Sequence, residues 1–445
     1  MSIQLSDSFN YKKLIRFTLP SIAMMIFMSI YGVVDGFFVS NYAGKTPFAA
    51  VNLIYPFLMI LSTAGFMFGT GGSAIVAKSF GEGNPDKANR NFSLFVYTAA
   101  IVGVVLAILG IILVRPIASK LLGASGTLLE NAVIYARIIL IALPFNVLQF
   151  LFQSFFVTAE KPQLGLISSV SSGVTNIILD VVLVMLLPQD LKLVGAAIAT
   201  GMSQVIGGAF PLVYFSRKNT SILRLGKTSF DGKALLKTCT NGSSELMSNI
   251  SMNVVGMLYN VQLMEYAGED GIAAYGVMMY VSFIFASVFI GYSIGTAPII
   301  SYHYGAKNSA ELKNVLKKSL TLIAVFGVLM IVVGQLLAVP LAKIFVGYDQ
   351  KLMELTVSGF RIFVLSFAFM GFAIFGSGFF TALNDGLTSA IISFLRTLVF
   401  QIAAVLLLPL IWGIDGIWLS IIVAEFMAVV FSTLFMLLKR KKYNY

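Results

Sequence analysis

Residues 92–114 read FSLFVYTAAIVGVVLAILGIILV, a run without a single charge between Arg90 and Arg115. A helix that crosses a bilayer needs about 20 mainly apolar residues, so this stretch has the length and composition of one span. Comparable runs recur along all 445 residues, and only 11% of the residues are charged. Soluble proteins contain about 25% charged residues. The sequence therefore predicts an all-α polytopic membrane protein.

Polar breaks between the apolar runs divide the chain into spans. The first run is too long for a signal-peptide core and lacks a small-residue cleavage site, so we expect it to be retained as an anchor. Cys239 is the only cysteine, which excludes an intramolecular disulfide. Twelve spans are predicted, at 14–39, 48–78, 92–114, 130–158, 163–187, 193–215, 238–264, 272–302, 315–338, 354–382, 388–411 and 415–438.

The basic residues are distributed unevenly over the loops that join these spans. Of the 30 Lys and Arg, 21 fall on the side of both termini, 6 on the opposite side and 3 inside spans. Such a bias is typical of cytoplasmic loops, so both termini are predicted to be cytoplasmic. The net charge of +11 is therefore explained by topology and by contact with anionic membrane lipids, without a nucleic-acid partner.

The opening stretch also belongs to an internal repeat. Gly103 and Gly110 recur 224 residues later as Gly327 and Gly334, and the same offset carries Tyr42-Ala43-Gly44 onto Tyr266-Ala267-Gly268. Each repeat holds six spans, an even number, so the two repeats are predicted to be parallel lobes related by a pseudo-two-fold axis along the membrane normal. The predicted division is an N-terminal lobe at 1–216, a basic cytoplasmic linker at 217–237, a C-terminal lobe at 238–438 and a basic tail at 439–445. Two such lobes around a central cleft are typical of a transporter.

Charged residues inside spans are few, and their depth indicates which of them can meet. Asp35 in span 1, Asp180 in span 5 and Thr200 in span 6 lie at one level, and Asn176 is one helical turn from Asp180 on the same face. Two carboxyl groups, an amide and a hydroxyl at this level could share a proton or offer several oxygens to Na⁺. They form the predicted cation or protonation site, and no other metal site is predicted.

The repeat provides a comparison for this site, because its offset locates the corresponding positions in the second lobe. None of those positions is acidic, which favours a function for the four residues over a role in helix packing. The corresponding positions are Tyr259 for Asp35, Phe400 for Asn176, Ala404 for Asp180 and, after a three-residue slip, Ile421 for Thr200.

Other polar residues within spans have alternative interpretations. Glu245 is either a polar cleft residue or a solvated acid at a helix start, and Glu425 either faces the cleft or pairs with Arg396. Pro20 interrupts the hydrogen bonding of span 1 and is the residue we expect to let that span bend.

Five segments together resemble the multidrug and toxic compound extrusion (MATE) family, in particular the bacterial branch named after the DNA-damage-inducible F protein. The resemblance covers essentially the whole chain. The segments are VVDGFFVSNYAG (33–44), FGEGNPDKANR (80–90), its echo YGAKNSAELKN (304–314), TNIILDVVLV (175–184) and VGAAIAT (194–200).

The resemblance implies twelve helices in two lobes, a bacterial plasma-membrane location, and export of cationic, lipophilic compounds driven by inward H⁺ or Na⁺. In that branch an aspartate of helix 1, an asparagine and an aspartate of helix 5 and a threonine of helix 6 bind the coupling cation. They match Asp35, Asn176, Asp180 and Thr200. Another branch carries an acid in helix 7, to which Glu245 corresponds only loosely.

The predicted function is a multidrug antiporter that exports amphiphilic organic cations from the cytoplasm. It is expected to act as a monomer without a cofactor, with H⁺ or Na⁺ as coupling ion. One alternative is a flippase for a lipid-linked precursor, which would need a strongly basic cleft, or a metabolite exporter of narrow specificity. An intramembrane enzyme is disfavoured because one His and one Cys leave too few catalytic groups.

Overall fold

The computed structural model describes residues 3–445, and in these residues helices are joined by short turns and by one longer linker at 217–231, without any strand. Eleven helical stretches are long and apolar enough to cross a membrane. This confirms the predicted fold class. The stretches are α1 Tyr11–Ala43, α2 Lys45–Gly81, α3 Pro85–Leu121, α4 Gly126–Thr158, α5 Pro162–Val184, α6 Gln189–Ser216, α7 Gly232–Gly305, α8 Ser309–Val346, α9 Gln350–Ala382, α10 Gly386–Leu407 and α11 Pro409–Tyr443.

The longest stretch, α7, is two spanning segments joined without a loop. Its 74 residues are interrupted at Gly268, where φ is 64° and ψ is −151°. Only glycine adopts such a backbone readily. The repeat-related Gly44, with φ of 106°, separates α1 from α2 in the same way. The eleven stretches therefore contain the twelve spans that the apolar runs predict.

The buried apolar side chains form two main clusters. One cluster takes its members from residues 50–223. The other takes them from residues 255–445, together with Val157 and residues 5–25 at the start of the chain. The first turns of α1 thus pack with the second half of the molecule, whereas the end of α1 lies against α5 and α6. We use "first half" and "second half" for the two repeats, and the exact lobe boundaries stay a prediction.

One end of the bundle, here called the linker face, carries both termini, the linker and the α2–α3 and α7–α8 turns. There the two halves approach closely at repeat-related positions. A Cβ on Gly81 would lie 2.0 Å from the Tyr302 carbonyl oxygen, and a Cβ on Gly305 would lie 2.2 Å from that of Lys78. Because any side chain at these glycines would collide with backbone, the two halves are in direct contact at the linker face.

The chain before α1 also joins the halves at the linker face. The Leu5 N–H donates to Glu160 in the α4–α5 turn, at 2.7 Å. The Phe9 N–H donates to Glu311 at the start of α8, at 2.8 Å. Glu160 belongs to the first half and Glu311 to the second, so this segment bridges them.

Candidate cation-binding site

The predicted site residues lie on three helices that meet in the first half. Asn176 and Asp180 are one turn apart on α5, and at Asp180 that helix widens into a π-helical turn, Asp180–Val184. Single π-turns inside α-helices occur frequently at functional sites. Asp35 on α1 and Thr200 on α6 face these two residues. The structure therefore brings all four predicted side chains together.

Asp35 is the centre of the polar contacts. The Thr200 hydroxyl donates to Asp35 Oδ1 at 3.3 Å, and Asn176 Nδ2 lies 3.5 Å from the same oxygen. Asn176 Nδ2 is also 3.5 Å from the Thr200 hydroxyl. Helices α1, α5 and α6 are thereby linked through a single carboxylate oxygen.

Asp180 is fully buried, and no donor from the described residues reaches either of its carboxylate oxygens. The carboxyl groups of Asp35 and Asp180 lie close enough to influence each other electrostatically, and two like charges buried together are unfavourable. The Asn176 Oδ1 atom is a further buried oxygen without a donor in this part of the chain. Burying unpaired oxygens is costly, so the arrangement suits a bound proton or a small cation.

Three tyrosines lie in the neighbourhood of the carboxyl pair, and the sequence did not predict their place there. Tyr135 of the buried helix α4 lies beside the Thr200 hydroxyl, and Tyr31 and Tyr55 lie near Asp35. Tyr31 precedes Asp35 by one helical turn, a spacing visible in the sequence. Tyr135 and Tyr55 come from helices without a charged site residue, so no sequence signal linked them to Asp35.

The second half contains a neutral contact in the corresponding place. The Tyr259 hydroxyl donates to Gln401 Oε1 at 3.0 Å, and its ring stacks on Tyr275 with 5.0 Å between centroids. Tyr259 is the predicted counterpart of Asp35. The sequence offset carries Asn176 onto Phe400, and the residue that contacts Tyr259 is its neighbour Gln401. In α10 the π-turn lies earlier, at Leu395–Val399, and its extra residue shifts the register by one.

The second half does contain charge, as a buried ion pair. Both nitrogens of the Arg396 fork contact Glu425, with Nε 2.8 Å from Oε2 and Nη2 2.8 Å from Oε1. The Glu425 side chain is 2% exposed and that of Arg396 is 17% exposed. Of the two interpretations of Glu425, the structure therefore supports pairing with Arg396. Glu245 is half-buried and lies within the electrostatic influence of Arg396.

Two further expectations concern bending and metal binding. Pro20 lies inside α1, where the backbone stays helical on both sides, so its role as a hinge stays a prediction. Within residues 3–445 no group of three or more His, Cys, Asp and Glu side chains could hold a metal ion. A cation at Asp35 and Asp180 would have to use the Asn176 and Thr200 oxygens as well, which are the types of ligand that hard cations prefer.

The chain is similar to known transporters over nearly its whole length. The MatE family model matches twice, at residues 20–182 and 246–407, once in each half. The multidrug export protein MepA of Staphylococcus haemolyticus (strain JCSC1435) is 27% identical over 420 residues, which cover 94% of this chain and 91% of the relative.

Solved structures give the same architecture. A crystal structure of MATE in complex with MaL6 superimposes with a TM-score of 0.92 at 21% identity, covering 98% of both chains. A multidrug resistance MATE family transporter of the MOP superfamily, in the outward-facing conformation, gives a TM-score of 0.91 at 21% identity, again over 98% of both chains.

Proposed function

Because the chain belongs to the MatE family, whose members are transporters and not enzymes, we propose that it is a cation-coupled antiporter that exports organic cations. The observation that carries this proposal is the pair formed by Asp35 and Asp180. The two carboxyl groups are close neighbours in a buried site, and the buried oxygens of Asp180 have no donor in the described part of the protein. A proton or Na⁺ entering from outside would satisfy these oxygens.

The position of α1 explains how the site acts on the rest of the molecule. Asp35 near its end contacts α5 and α6, while its first turns pack in the apolar cluster of the second half. Between these two regions the Ser29 hydroxyl bonds to the Ser287 hydroxyl of α7. Cation binding at Asp35 and Asp180 therefore changes a helix that both halves share. This is the coupling that alternating access requires.

The charge distribution supports a direction of transport. The linker face carries most of the Lys and Arg, so we assign it to the cytoplasm of a bacterial cell, with the protein in the plasma membrane. Since the halves are in contact at that face, the structure corresponds to a state closed towards the cytoplasm. In this state the coupling ion would enter from outside and the substrate would leave.

Two features support organic cations as substrates. The relative named above is a multidrug export protein. In addition, Tyr31 and Tyr55 lie in the neighbourhood of Asp35, and aromatic rings near a carboxylate favour cations with apolar surfaces. We propose that amphiphilic cations and the coupling ion compete for the region around Asp35. Membrane lipids surround the protein, and we propose that it acts as a monomer.

The flippase alternative is less well supported. It would need unpaired positive charge to hold lipid phosphates. A free Arg396 facing the cleft would favour the flippase, whereas a paired Arg396 favours the antiporter. Its guanidinium is bound through two nitrogens to Glu425. We therefore prefer the antiporter.

The proposal is tested with purified protein in proteoliposomes that accumulate a fluorescent organic cation. A pH gradient and a Na⁺ gradient are imposed separately on wild type, on Asp35→Asn, and on the exposed control Glu130→Gln. We expect export under one gradient, unchanged in the control and about 100-fold slower in Asp35→Asn, which is the low end for a positioned proton-transfer group. Export by Asp35→Asn at the wild-type rate would refute the site, and no export under either gradient would refute the antiporter.

A further inference from the structure

A polar cavity of about 520 Å³ lies at the linker face, far from Asp35. Its walls are the first two turns of α3 and the linker between α6 and α7. Six of its lining residues bear on its chemistry: Asp86, Asn89, Arg90, Ser93, Arg224 and Lys227.

Hydrogen bonds hold the linker against α3 and so give the cavity a defined shape. The Arg224 N–H donates to Asn89 Oδ1 at 2.7 Å, and the Gly226 N–H donates to the Ser93 hydroxyl at 3.0 Å. The Thr228 hydroxyl donates to the Arg90 carbonyl at 2.8 Å. Three successive contacts on one helix face fix the linker backbone, so the side chains of Arg224 and Lys227 project from a fixed segment beside Arg90.

The cavity has an excess of positive charge. Arg90, Arg224 and Lys227 line it together with one acid, Asp86. Among the described ion pairs none involves these three basic residues, so their charges are available to a ligand. Guanidinium groups bind the oxygens of a phosphate through two parallel hydrogen bonds. The chemistry of the cavity therefore fits a phosphate-bearing anion.

The position of the cavity relative to the membrane surface indicates whether the phosphate belongs to a lipid headgroup or to a soluble compound. The Tyr97 hydroxyl bonds to the Gly226 carbonyl at 3.1 Å, and Tyr97 lies two turns along α3 from Arg90. Four residues further on, Ile101 begins the exposed apolar face of that helix, with 64% of its surface accessible. Tyrosine marks the boundary between lipid tails and headgroups. At 1.5 Å per residue Arg90 is about 10 Å beyond Tyr97, within reach of the headgroups.

The linker also presents apolar side chains close to these basic groups. Phe230 is 84% exposed, and Ile222 is exposed as well. Exposed apolar side chains beside basic ones are typical of segments that lie at a membrane surface. These apolar side chains would not contribute to the binding of a soluble phosphate compound.

We propose that this cavity is a binding site for the headgroup of an anionic phospholipid in the leaflet on the linker side. Arg90 from α3 and Arg224 and Lys227 from the linker hold the phosphate, while Phe230 contacts the lipid surface. A bound lipid thereby ties the linker to the first half of the transporter. This inference does not depend on the transported substrate or on the coupling ion.

The second half offers a matched control, because the turn between α7 and α8 repeats the turn between α2 and α3. Lys307, Lys313 and Lys317 are exposed there, and no linker covers them. The variant Arg90→Gln/Arg224→Gln/Lys227→Gln and the control Lys307→Gln/Lys313→Gln/Lys317→Gln remove the same charge from repeat-related surfaces.

The experiment is native mass spectrometry of the full-length protein titrated with phosphatidylglycerol or phosphatidylcholine, with and without soluble glycerol phosphate. We expect wild type and the control triple to retain one phosphatidylglycerol that the cavity triple binds about 100-fold more weakly, since each basic residue contributes about fivefold. Phosphatidylcholine should not compete for this site.

Three results would overturn the proposal. An equal loss in both triple variants would indicate non-specific attraction to the basic surface. Displacement of the lipid by millimolar glycerol phosphate would indicate a site for a soluble phosphate compound. Unchanged binding by the cavity triple would show that the lipid is held elsewhere. All six substituted side chains are exposed, so we expect both triple variants to fold, and a size-exclusion profile of each one checks this.

Discussion

The two halves of this protein share a scaffold and differ in what they place at its centre. In the first half Asp35 meets Asn176, Thr200 and a second carboxyl group that has no donor among the described residues. In the second half Tyr259 and Gln401 make the corresponding contact without charge. Arg396 and Glu425 form a buried ion pair in the second half and neutralise each other. The two repeats thus differ in one respect. The first half has buried oxygens that a bound ion or proton would satisfy, whereas in the second half the corresponding side chains satisfy each other.

Among the substitutions that distinguish the halves, the largest change in the free energy of unfolding is expected at Glu425. The variant Glu425→Gln leaves the Arg396 guanidinium buried without its partner, which should lower the free energy of unfolding by about 3–5 kcal/mol. Chemical denaturation in detergent measures this loss. Replacing both residues, as in Arg396→Met/Glu425→Met, should recover most of it, because the pair is then removed together with its desolvation cost.

The counterpart variant in the first half should behave in the opposite way. Asp180→Asn removes a charge that no described donor satisfies, so stability should not fall while gradient-driven export is lost. If Asp180→Asn unfolded as readily as Glu425→Gln, the carboxyl pair would be a structural element, and the contrast between the halves would disappear.

An effect of intermediate size is expected at repeat-related turns of the linker face. Asp385 in the second half accepts from Lys439 and Tyr443, each at 2.7 Å. Burial opposes ionisation, but these hydrogen bonds and those from Thr388 prevail and lower the pKa of Asp385 from 3.8 to about 2. Glu160 occupies the corresponding turn of the first half, and there burial raises the pKa of the carboxyl group.

The two shifts predict pH dependences of opposite sign. The contribution of Asp385, about 2 kcal/mol, is present above pH 4 and disappears as the pH falls towards 2. Asp385→Asn should therefore be destabilised at neutral pH and should converge with wild type in acid. Glu160→Gln should lose no stability at neutral pH, since ionisation of Glu160 is disfavoured in the folded state. Thermal unfolding between pH 2 and 7 checks both, and parallel curves for Asp385→Asn and wild type would contradict the assignment.

The smallest effect is expected at the neutral contact. Tyr259→Phe removes one buried hydrogen bond to Gln401, and such bonds in membrane proteins contribute about 0.6 kcal/mol. Export under the gradient should be unchanged, in contrast to Asp35→Asn at the corresponding position. The proteoliposome assay measures both variants. A loss of coupling in Tyr259→Phe would mean that the second half also takes part in ion transport.

The sequence was sufficient to predict which four side chains meet in the first half, but not which residues make the corresponding contact in the second half. Helix depth and the spacing of Asn176 and Asp180 predicted which side chains meet, because these quantities depend only on helical geometry and span boundaries. The contact of Gln401 with Tyr259 depends on the π-turn at Leu395–Val399, because the extra residue of that turn changes which side chain faces Tyr259. No pattern in the sequence predicts a π-turn there. Tyr135 and Tyr55 were missed for a different reason, since their proximity to Asp35 is set by the packing of helices distant in sequence.

Similar reasoning applies to the fold. The number of spans follows from apolar runs, whereas the joining of two spans into α7 depends on the backbone at Gly268. The acidic residues Glu265, Glu269 and Asp270 mark the break between the predicted spans 238–264 and 272–302, but they do not show that the chain passes it without a loop. The repeat of Tyr-Ala-Gly at both breaks indicates which residue forms each one.

The displaced π-turn of α10 has a consequence for the ancestry of the two halves. A π-turn adds one residue to a helix without lengthening the loops at its ends. The π-turn lies at Asp180 in α5 but earlier, at Leu395, in α10. Between these two levels the side chains of α10 are rotated by about 100° about the helix axis relative to those of α5. Outside this segment the two helices have the same register. After a gene duplication, a helix can thus present a different row of side chains to its neighbour even before any of those side chains mutates. An alignment that assumes a constant offset would interpret such a rotation as a set of substitutions.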